Sequence, residues 1–407
     1  MKVLVSAYAC EPNRGSEPEV GWRWMTEMSK YHEIVVLTRA NNKEVIESYI
    51  MEHPQACRGI RFVYFDLSDS FKKWKKRLNI HELYYILWQR KARKKIDELL
   101  AEENFDLMHM VTFASFRYPV FLNRLAVPVV WGPVGGAEIA PWSLLWYRLC
   151  FPACGKEVIR NLATTFSSMA VRWVDPTRTS GGRVIASTPR TQAILERKGI
   201  QSRLMPTIGL NVKQDSPVID PPSVSGGLKF IFVGRLVLLK GVYLLIEAFA
   251  KADISNASLT IVGDGCERRR LESMVDQFGI SGRVNFLGQV SKNELPALYA
   301  QHHVVVGPSL YESGGYMVLE GFQQRRPAIV LDVGGPALSV DSSCGIKIPV
   351  GSGNDVVKHL ADALCYYHQN PDQITIHGQA GYEKLERVYA WGEKSKIMAK
   401  VYNEAVS

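Results

Sequence analysis

The chain has 407 residues, with 49 Lys and Arg against 40 Asp and Glu and a formal net charge of +9. Hydrophobic residues make up 46% and charged residues 22%, which excludes intrinsic disorder, collagen and a disulfide-stapled miniprotein. This length predicts two domains with packed cores.

Short apolar runs alternate with longer amphipathic segments along the chain, a pattern typical of βαβ units and parallel sheets. In the first half the predicted strands are 2–7, 33–38, 60–65, 107–111, 127–131 and 183–186, with helices over 20–30 and 42–51. In the second half the predicted strands are 229–233, 258–262, 284–286, 303–306, 328–331 and 346–348, with helices over 242–250, 268–278 and 393–406.

The pattern therefore predicts an α/β protein with two Rossmann-like parallel-sheet domains. We expect an N-terminal domain over 1–205, a Pro- and Gly-rich linker over 206–227 and a C-terminal domain over 228–385. A last helix, over 386–407, is expected to cross back to the N-terminal domain. Two such sheets facing each other would place the carboxyl ends of their strands, where α/β proteins bind ligands, on either side of a central cleft.

Cysteine use and the N-terminus bear on location. Seven scattered cysteines, an odd number, favour reduced thiols in a cytoplasm. Cys150 and Cys154 lack the second Cys or His pair that a structural zinc needs. The apolar stretch after Met1 is interrupted at Glu11 and Pro12, so we expect a first strand and not a signal peptide. No run of about 18 apolar residues is present, and we expect no transmembrane helix.

A turn with glycines and cations follows the first predicted strand of the second half. Gly234 and Arg235 end that strand, and Lys240 and Gly241 open the next helix. Positive side chains beside free helix N–H groups suit an anion such as a diphosphate, although the spacing is not that of a Walker loop. The alternative is an Arg and a Lys that are simply solvated near a turn.

A second cluster carries two carboxylates, Glu312 and Glu320, with Gly314 and Gly315 between them. Backbone N–H groups at the predicted helix start near Tyr316 would form another anion-binding site. Glu312 lies in the loop, where it could meet sugar hydroxyls, and Glu320 could accept hydrogen bonds from a ribose diol. The alternative is a helix-capping acid and a surface Glu. A glycosidase is disfavoured, because its two carboxylates must flank the scissile bond.

Together these elements resemble the retaining glycosyltransferases of family 4, which have the GT-B fold. Gly-Arg-(x4)-Lys-Gly and Glu-(x7)-Glu stand in that family's order, and Gly263-Asp264-Gly265 and the stretch 284–288 occupy the remaining positions. The resemblance is strong over 229–335 and weaker over the N-terminal half. Ser6-Ala7-Tyr8 and the stretch 131–136 look like the subgroup that builds exopolysaccharide and O-antigen chains.

The resemblance implies a role for each matched residue. Arg235 and Lys240 would clamp the donor diphosphate, Glu320 would hold the ribose, and Glu312 would face the donor sugar and its developing positive charge. The implied donor-binding residues are Gly15, Gly234, Arg235, Lys240, Gly288, Val290, Glu312, Gly314, Gly315, Tyr316 and Glu320, and the implied catalytic residues are Glu312, His109, Arg235 and Lys240. Fixed cations and helix dipoles would stabilise the departing diphosphate without a metal, so we expect no metal and no cofactor beyond the nucleotide-sugar substrate.

Two of these residues lie in the first half. Gly15 stands where the family has a flexible glycine loop over the phosphates, with one Gly where many relatives have two. His109 ends a predicted strand where many relatives have His-x-His, and Val111 takes the second place here. His109 is therefore either a residue that contacts a sugar or a buried strand-end histidine.

The predicted reaction moves a sugar from a UDP- or GDP-sugar to a saccharide acceptor, lipid-linked through a polyprenyl diphosphate, in bacterial surface polysaccharide biosynthesis. Retention at the anomeric carbon follows from the resemblance alone. Two alternatives stay open at this point: another GT-B nucleotide-sugar enzyme such as an epimerase, and a non-catalytic nucleotide-sugar-binding protein.

Most of the net charge lies in one stretch, because residues 68–95 hold ten Lys and Arg and two acids. Its basic ends flank the aromatic stretch 83–88, a pattern that suits an anionic membrane surface, and residues 142–151 add a second aromatic segment. We expect a cytoplasmic protein that is peripheral at the inner face of the cell membrane. The alternative is a solvated basic helix with its aromatic side chains in the core. No nucleic-acid-binding motif accompanies the charge, and we expect no nucleic acid partner.

Overall fold

The computed structural model describes residues 1–71, 81–147, 153–212 and 221–407, in which strands and helices alternate. The strands are β1 (Lys2–Ser6), β2 (Glu33–Arg39), β3 (Ile60–Phe65), β4 (Leu107–Met110), β5 (Val129–Val134), β6 (Gly182–Ala186), β7 (Ser202–Leu204), β8 (Lys229–Val233), β9 (Ser258–Val262), β10 (Val284–Gly288), β11 (Val304–Gly307), β12 (Ala328–Leu331) and β13 (Gly345–Ile348). The helices are α1 (Ser16–Met28), α2 (Lys43–Glu52), α3 (His81–Glu102), α4 (Trp142–Leu145), α5 (Ala153–Val174), α6 (Thr177–Ser180), α7 (Pro189–Arg197), α8 (Val242–Ala252), α9 (Arg268–Gln277), α10 (Leu295–Ala300), α11 (Tyr316–Gln323), α12 (Gly334–Ser339), α13 (Gly353–Gln369), α14 (Asp372–Lys384) and α15 (Trp391–Val406).

Seven parallel strands form the first sheet, in the order β3-β2-β1-β4-β5-β6-β7. Val3 of β1 pairs with Ile34 on one side and with Leu107 on the other. Apolar, β-branched runs such as Val3–Val5 are fully buried, as expected where helices cover both faces of a parallel sheet. The strands lie where the sequence predicts them, and only the short edge strand β7 has no counterpart in the prediction.

Six parallel strands form the second sheet, in the order β10-β9-β8-β11-β12-β13. Phe230 of β8 pairs with Leu259 and with Val304. In each sheet the chain starts near the middle and the strand order reverses beside that first strand. This reversal is the position at which ligands bind at the carboxyl ends of the strands of doubly wound proteins. The predicted α/β class with two parallel sheets is confirmed.

The chain folds into two compact units. The first comprises Met1–Ala137, Ala163–Thr207 and Trp391–Ser407, and the second comprises Glu138–Leu162 and Ile208–Ala390. Helix α15 therefore belongs to the first unit. Of the predicted linker 206–227, residues 213–220 lie outside the described part of the chain.

One segment differs from the predicted domain boundaries. Residues 138–162 were assigned by sequence to the N-terminal domain, but they pack with the second unit. The physical reason is local: Leu144 and Leu145 are buried in the core of the second sheet. The Tyr243 hydroxyl donates a hydrogen bond to the Leu144 carbonyl at 3.1 Å.

The aromatic side chains of the basic stretch do not face outward. Tyr84, Tyr85 and Trp88 are 2%, 1% and 0% exposed and belong to the core of the first sheet. The Trp88 indole N–H donates to the Phe65 carbonyl at 3.0 Å, which ties α3 to the end of β3. The prediction that these aromatics meet a membrane is therefore wrong, and they are core residues beneath a basic helix surface. Residues 72–77, which hold half of the predicted cations, lie outside the described residues.

None of the helices that the structure describes is both long enough and apolar enough to cross a membrane.

A buried lysine of α15 contacts Pro206, near the end of the segment Ala163–Thr207 of the first unit. Lys394 is 0% exposed, and its ammonium group donates to the Pro206 carbonyl. The same nitrogen lies 5.3 Å from the ring centre of Trp24 and 5.0 Å from that of Trp391. Burial lowers the pKa of Lys394 to about 7, because the low-dielectric surroundings disfavour its charged form.

This lowered pKa predicts a pH-dependent stability. Between about pH 7 and pH 10.5 the unfolded chain binds a proton at Lys394 that the folded chain does not, so this residue destabilises the fold as pH falls through that window. The free energy of unfolding of the wild-type protein, relative to that of Lys394→Met, should rise by on the order of 1–3 kcal/mol from pH 7 to pH 10. Urea unfolding of both proteins across that range tests this, and curves that stay parallel would contradict it.

Candidate functional site

The cation-containing turn of the second unit lies at the carboxyl end of β8. The Gly234 N–H donates to the Val262 carbonyl at 2.9 Å, and the Leu236 N–H donates to the Asp264 carbonyl at 2.9 Å. These bonds hold the turn against the end of β9. Arg235 is exposed and forms no ion pair within the described residues. Its guanidinium is thus available to an anion at this edge of the sheet.

Gly241 brings this turn against the segment that follows β11. Gly241 has a φ of +64°, which favours glycine. A Cβ at this position would lie only 2.0 Å from the Pro308 carbonyl oxygen, so no other residue fits. The Leu310 N–H donates to the Leu239 carbonyl at 2.8 Å, so the two segments run side by side. Residues about seventy positions apart in sequence are therefore neighbours in the site.

The main consequence is an ion pair between Lys240 and Glu312. The Lys240 ammonium donates to Glu312 Oε2, and the two side chains are only 20% and 23% exposed. Partial burial strengthens such a pair because water screens it less. The structure thus brings together the two sequence clusters that were identified separately.

Glycines shape the start of α11 beside this pair. Gly315 adopts a φ of +101° directly before the helix, and a Cβ there would lie 2.9 Å from Pro336. The Gly335 N–H donates to the Glu312 carbonyl at 2.9 Å, which fixes the loop that carries the carboxylate. The start of α11 carries the partial positive charge of a helix N-terminus. Gly314 lies in the same loop, where a Cβ would meet Ile208 at 2.9 Å.

Glu320 lies one turn inside α11. The buried Tyr299 hydroxyl donates to Glu320 Oε2 at 2.9 Å. Burial raises the pKa of the Glu320 carboxyl, while the Tyr299 hydrogen bond and the charge of Lys292 oppose that shift. The hydrogen bond orients the carboxylate and leaves its other oxygen able to accept from a ligand.

Gly288 is the last residue of β10, which lies two strands from β8, and Val290 follows it. The Gly288 carbonyl accepts from the Gly263 N–H at 2.7 Å, and Gly288 has a φ of +72°. Val290 is half-buried and the nearby Leu287 is 42% exposed. This edge offers an apolar surface beside backbone polar groups, which suits a flat ring.

Residues 138–162 supply groups that sequence reasoning missed. A Cβ at Gly334 would lie 3.4 Å from Glu138 Oε2 and 2.0 Å from the Glu312 carbonyl oxygen, so the 3%-exposed Glu138 is next to the Glu312 loop. The Arg160 guanidinium lies 3.8 Å from the ring centre of Tyr311. The available signal was Glu138, two residues after the paired glycines 135 and 136 that follow β5.

The two remaining predicted residues, Gly15 and His109, belong to the first unit. Gly15 has a φ of +74° directly before α1, with open space where a Cβ would stand. The loop before it is tied by an ion pair between Glu11 and Arg14. This open glycine loop follows β1 at the carboxyl edge of the first sheet.

His109 is fully buried in β4. Its Nε2 donates to the Gly132 carbonyl at 2.7 Å, and its Nδ1 accepts from the Tyr402 hydroxyl at 2.6 Å. Burial lowers the pKa of His109 to about 4, so the ring is neutral near pH 7. With both nitrogens occupied, His109 joins β4 to α15 and offers no ring nitrogen to a substrate in this state. Of the two interpretations that the sequence allowed for His109, this geometry favours the buried histidine at a strand end.

No cluster of three or more His, Cys, Asp or Glu side chains suited to a metal ion occurs in the described ranges. Cys150 and Cys154, considered above for zinc, have no described side chains.

Comparisons with known proteins match this chain to sugar-transferring enzymes. A family model for glycosyl transferases group 1 matches residues 220–373. An uncharacterised glycosyltransferase of Methanocaldococcus jannaschii is 36% identical over 145 residues, 35% of this chain and 33% of that protein. The lipopolysaccharide core biosynthesis glycosyltransferase LpsE of Rhizobium meliloti is 31% identical over 149 residues, 36% of this chain and 41% of that protein. The chain thus spans about a third to nearly half of the length of the curated relatives it matches.

Among solved structures, HepE of Anabaena in complex with UDP is similar over 99% of this chain and 100% of its own, with a TM-score of 0.63 and 15% identity. At this identity the likeness concerns the fold, and it confirms the predicted GT-B class.

Proposed function

We propose that the chain is a glycosyltransferase that uses a nucleotide-sugar donor, because residues 220–373 match the family model for glycosyl transferases group 1. One observation carries the proposal: Lys240 and Glu312 meet in the second unit, between the exposed Arg235 and the glycine-lined start of α11. A nucleotide sugar consists of a nucleoside diphosphate, which is an anion, joined to a sugar. This site places cations that suit the diphosphate beside a carboxylate that suits the sugar.

The diphosphate is assigned to the cationic part of the site. Arg235 and Lys240 supply fixed positive charge, and the start of α11 supplies backbone N–H groups. Negative charge accumulates on the phosphate oxygens as the sugar leaves, so preorganised cations stabilise the transition state more than the ground state. We propose that this arrangement serves without a metal ion, and assays with and without EDTA test that part.

Glu320 is assigned to the ribose, and Gly288 with Val290 to the edge of the base. Glu312 is assigned to the donor sugar, where a carboxylate stabilises positive charge at the anomeric carbon. We propose retention of configuration, for which the support is the resemblance to family 4. The identity of the product anomer, determined by NMR, tests it.

The ribose assignment predicts a binding defect. Glu320→Ala should raise KM for the donor by about 10–100-fold with a smaller change in kcat, because charge-assisted hydrogen bonds to the diol are lost in ground and transition states alike. Steady-state kinetics of donor turnover measures both constants. Tyr299→Phe is the matched control: it removes only the bond that orients Glu320, so its effect on KM should be smaller. An unchanged KM in Glu320→Ala would remove Glu320 from the donor site.

We propose a lipid-linked saccharide acceptor in bacterial surface polysaccharide biosynthesis, and a location at an anionic membrane surface. The likeness to LpsE supports the pathway class.

The membrane location is supported by α3, where Arg90, Lys91 and Lys94 are exposed and form no ion pair with other described residues. They border a groove of 760 Å³ with an apolar floor. The groove is lined by Phe65, Leu67, Phe71, Leu87, Arg90, Lys91, Lys94, Lys95 and Glu98.

A donor screen tests the proposed reaction. Purified protein is incubated with UDP- and GDP-sugars and the lipid-linked saccharide fraction of bacterial membranes, and released nucleotide and sugar on the acceptor are both measured. Acceptor-dependent release of UDP or GDP is expected. Isomerised donor without transfer would indicate an epimerase, and binding of donor without turnover would indicate a binding protein.

A further inference from the structure

Helix α5 presents a row of large apolar side chains to solvent. Phe166 is 68% exposed, Met169 is 66% exposed and Trp173 is 80% exposed. Their spacing of three and four residues places them on one face of the helix. Soluble proteins rarely expose such a continuous apolar surface without a binding role.

The opposite face of α5 is packed, so the exposure does not come from a loosely attached helix. Val171 is fully buried in the core of the first sheet, and Val174 packs against that core. Thr164 is 2% exposed. The helix therefore has two apolar faces, and its core contacts fix the second one in an outward orientation.

The charges around the row have one sign. The sequence from 163 to 174 contains Arg172, which is exposed, and no acid. The next acid, Asp175, is 7% exposed and accepts from the Thr177 N–H at 2.9 Å and hydroxyl at 2.7 Å. Arg178 beyond it is exposed. An apolar row bordered by arginines complements the acyl chains and anionic headgroups of a bilayer.

We propose that α5 inserts the side chains of Phe166, Met169 and Trp173 into the headgroup–acyl boundary of an anionic membrane. The inference deepens the membrane location given under the proposed function and rests on it. It assigns hydrophobic insertion to α5, an element that the basic-stretch hypothesis did not include. Helix α3, whose aromatics are buried, contributes electrostatic attraction only.

The two contributions differ in their response to salt. Attraction between exposed lysines and anionic lipid is screened within about 10 Å at 0.1 M salt, whereas burial of apolar surface is not. Binding that survives high salt therefore reports the apolar row of α5, and binding lost at high salt reports the exposed cations of α3 together with Arg172 and Arg178.

The test uses the full chain and vesicles of phosphatidylethanolamine with phosphatidylglycerol, in co-sedimentation at low and high salt. The triple variant F166S/M169S/W173S should lose salt-resistant binding by roughly tenfold or more. The matched control V45S/M51S/I376S replaces apolar side chains that are 45%, 76% and 55% exposed elsewhere and should bind as wild type does. The variant R90Q/K91Q/K94Q should reduce the salt-sensitive binding and leave the salt-resistant binding unchanged.

Further readouts separate the possible failures. Quenching by brominated lipid should be weaker in W173F than in wild type, and nucleotide release with a soluble acceptor should be unchanged in the triple variant. Equal high-salt binding by the triple variant would overturn the proposal. So would a dimeric wild type that becomes monomeric in the triple variant, because the row would then be a subunit interface. A wild type that binds no vesicles at any salt would overturn the membrane location itself, while leaving donor turnover as the test of the enzymatic proposal.

Discussion

Replacing Lys240 with alanine is expected to lower kcat/KM for donor turnover by about 10²–10³-fold, the effect of removing one preorganised charge from a developing anion. Lys240 is held by a turn that requires glycine at position 241 and is partly buried beside Glu312. Its charge is therefore fixed before the donor arrives, and no reorganisation is needed as the diphosphate leaves. Steady-state kinetics of nucleotide release measures the effect.

Lys229→Ala is the matched control, because Lys229 is an exposed lysine at the opposite end of β8. It should leave kcat/KM within about twofold of wild type, since surface charges far from the reacting atoms are screened. Thermal unfolding of both variants checks that they fold. A Lys240→Ala enzyme with wild-type kinetics would place the diphosphate elsewhere.

Replacing Glu312 with glutamine is expected to lower kcat by about 10²-fold with little change in the affinity for UDP. Glutamine keeps the shape of the side chain but removes the negative charge that would stabilise the donor sugar as its anomeric carbon becomes positive. UDP lacks the donor sugar that is transferred, so the binding of UDP should not depend on the charge of Glu312. Steady-state kinetics and UDP titration calorimetry measure the two quantities.

The ion pair with Lys240 offers a competing explanation, in which Glu312 only orients the lysine. In that case Glu312→Gln would weaken UDP binding along with kcat, because Lys240 would lose its position. Glu383→Gln, at an exposed position of α14, is the control for removal of a carboxylate and should leave both quantities unchanged. An unaltered kcat in Glu312→Gln would contradict the assignment to the donor sugar.

Several parts of the candidate site could be predicted because their chemistry is local. Gly234, Arg235, Lys240 and Gly241 lie within one turn, and turn geometry depends on a few adjacent residues. The second cluster likewise combines glycines with a helix start. Sequence alone did not show that Lys240 and Glu312 form an ion pair, because that contact depends on the pairing of β8 with β11.

Burial was harder to predict. His109 and the aromatics of α3 had both a functional and a core interpretation, and the structure places them in the interior of the first unit. Glu138 and Arg160 were missed because their segment packs with the second sheet, far along the chain from the residues it touches. Such choices depend on which surfaces meet after folding.

The sequence by itself determined the two parallel sheets, their strand positions and the glycine–cation turns of the second unit, because apolar periodicity and backbone preferences act over a few residues. Only the tertiary structure decided what each apolar face contacts. The aromatics of α3 and the row on α5 have comparable periodicity, yet the first is buried and the second is exposed. Periodicity specifies that a helix has an apolar face, whereas long-range packing decides whether that face is covered by the chain itself.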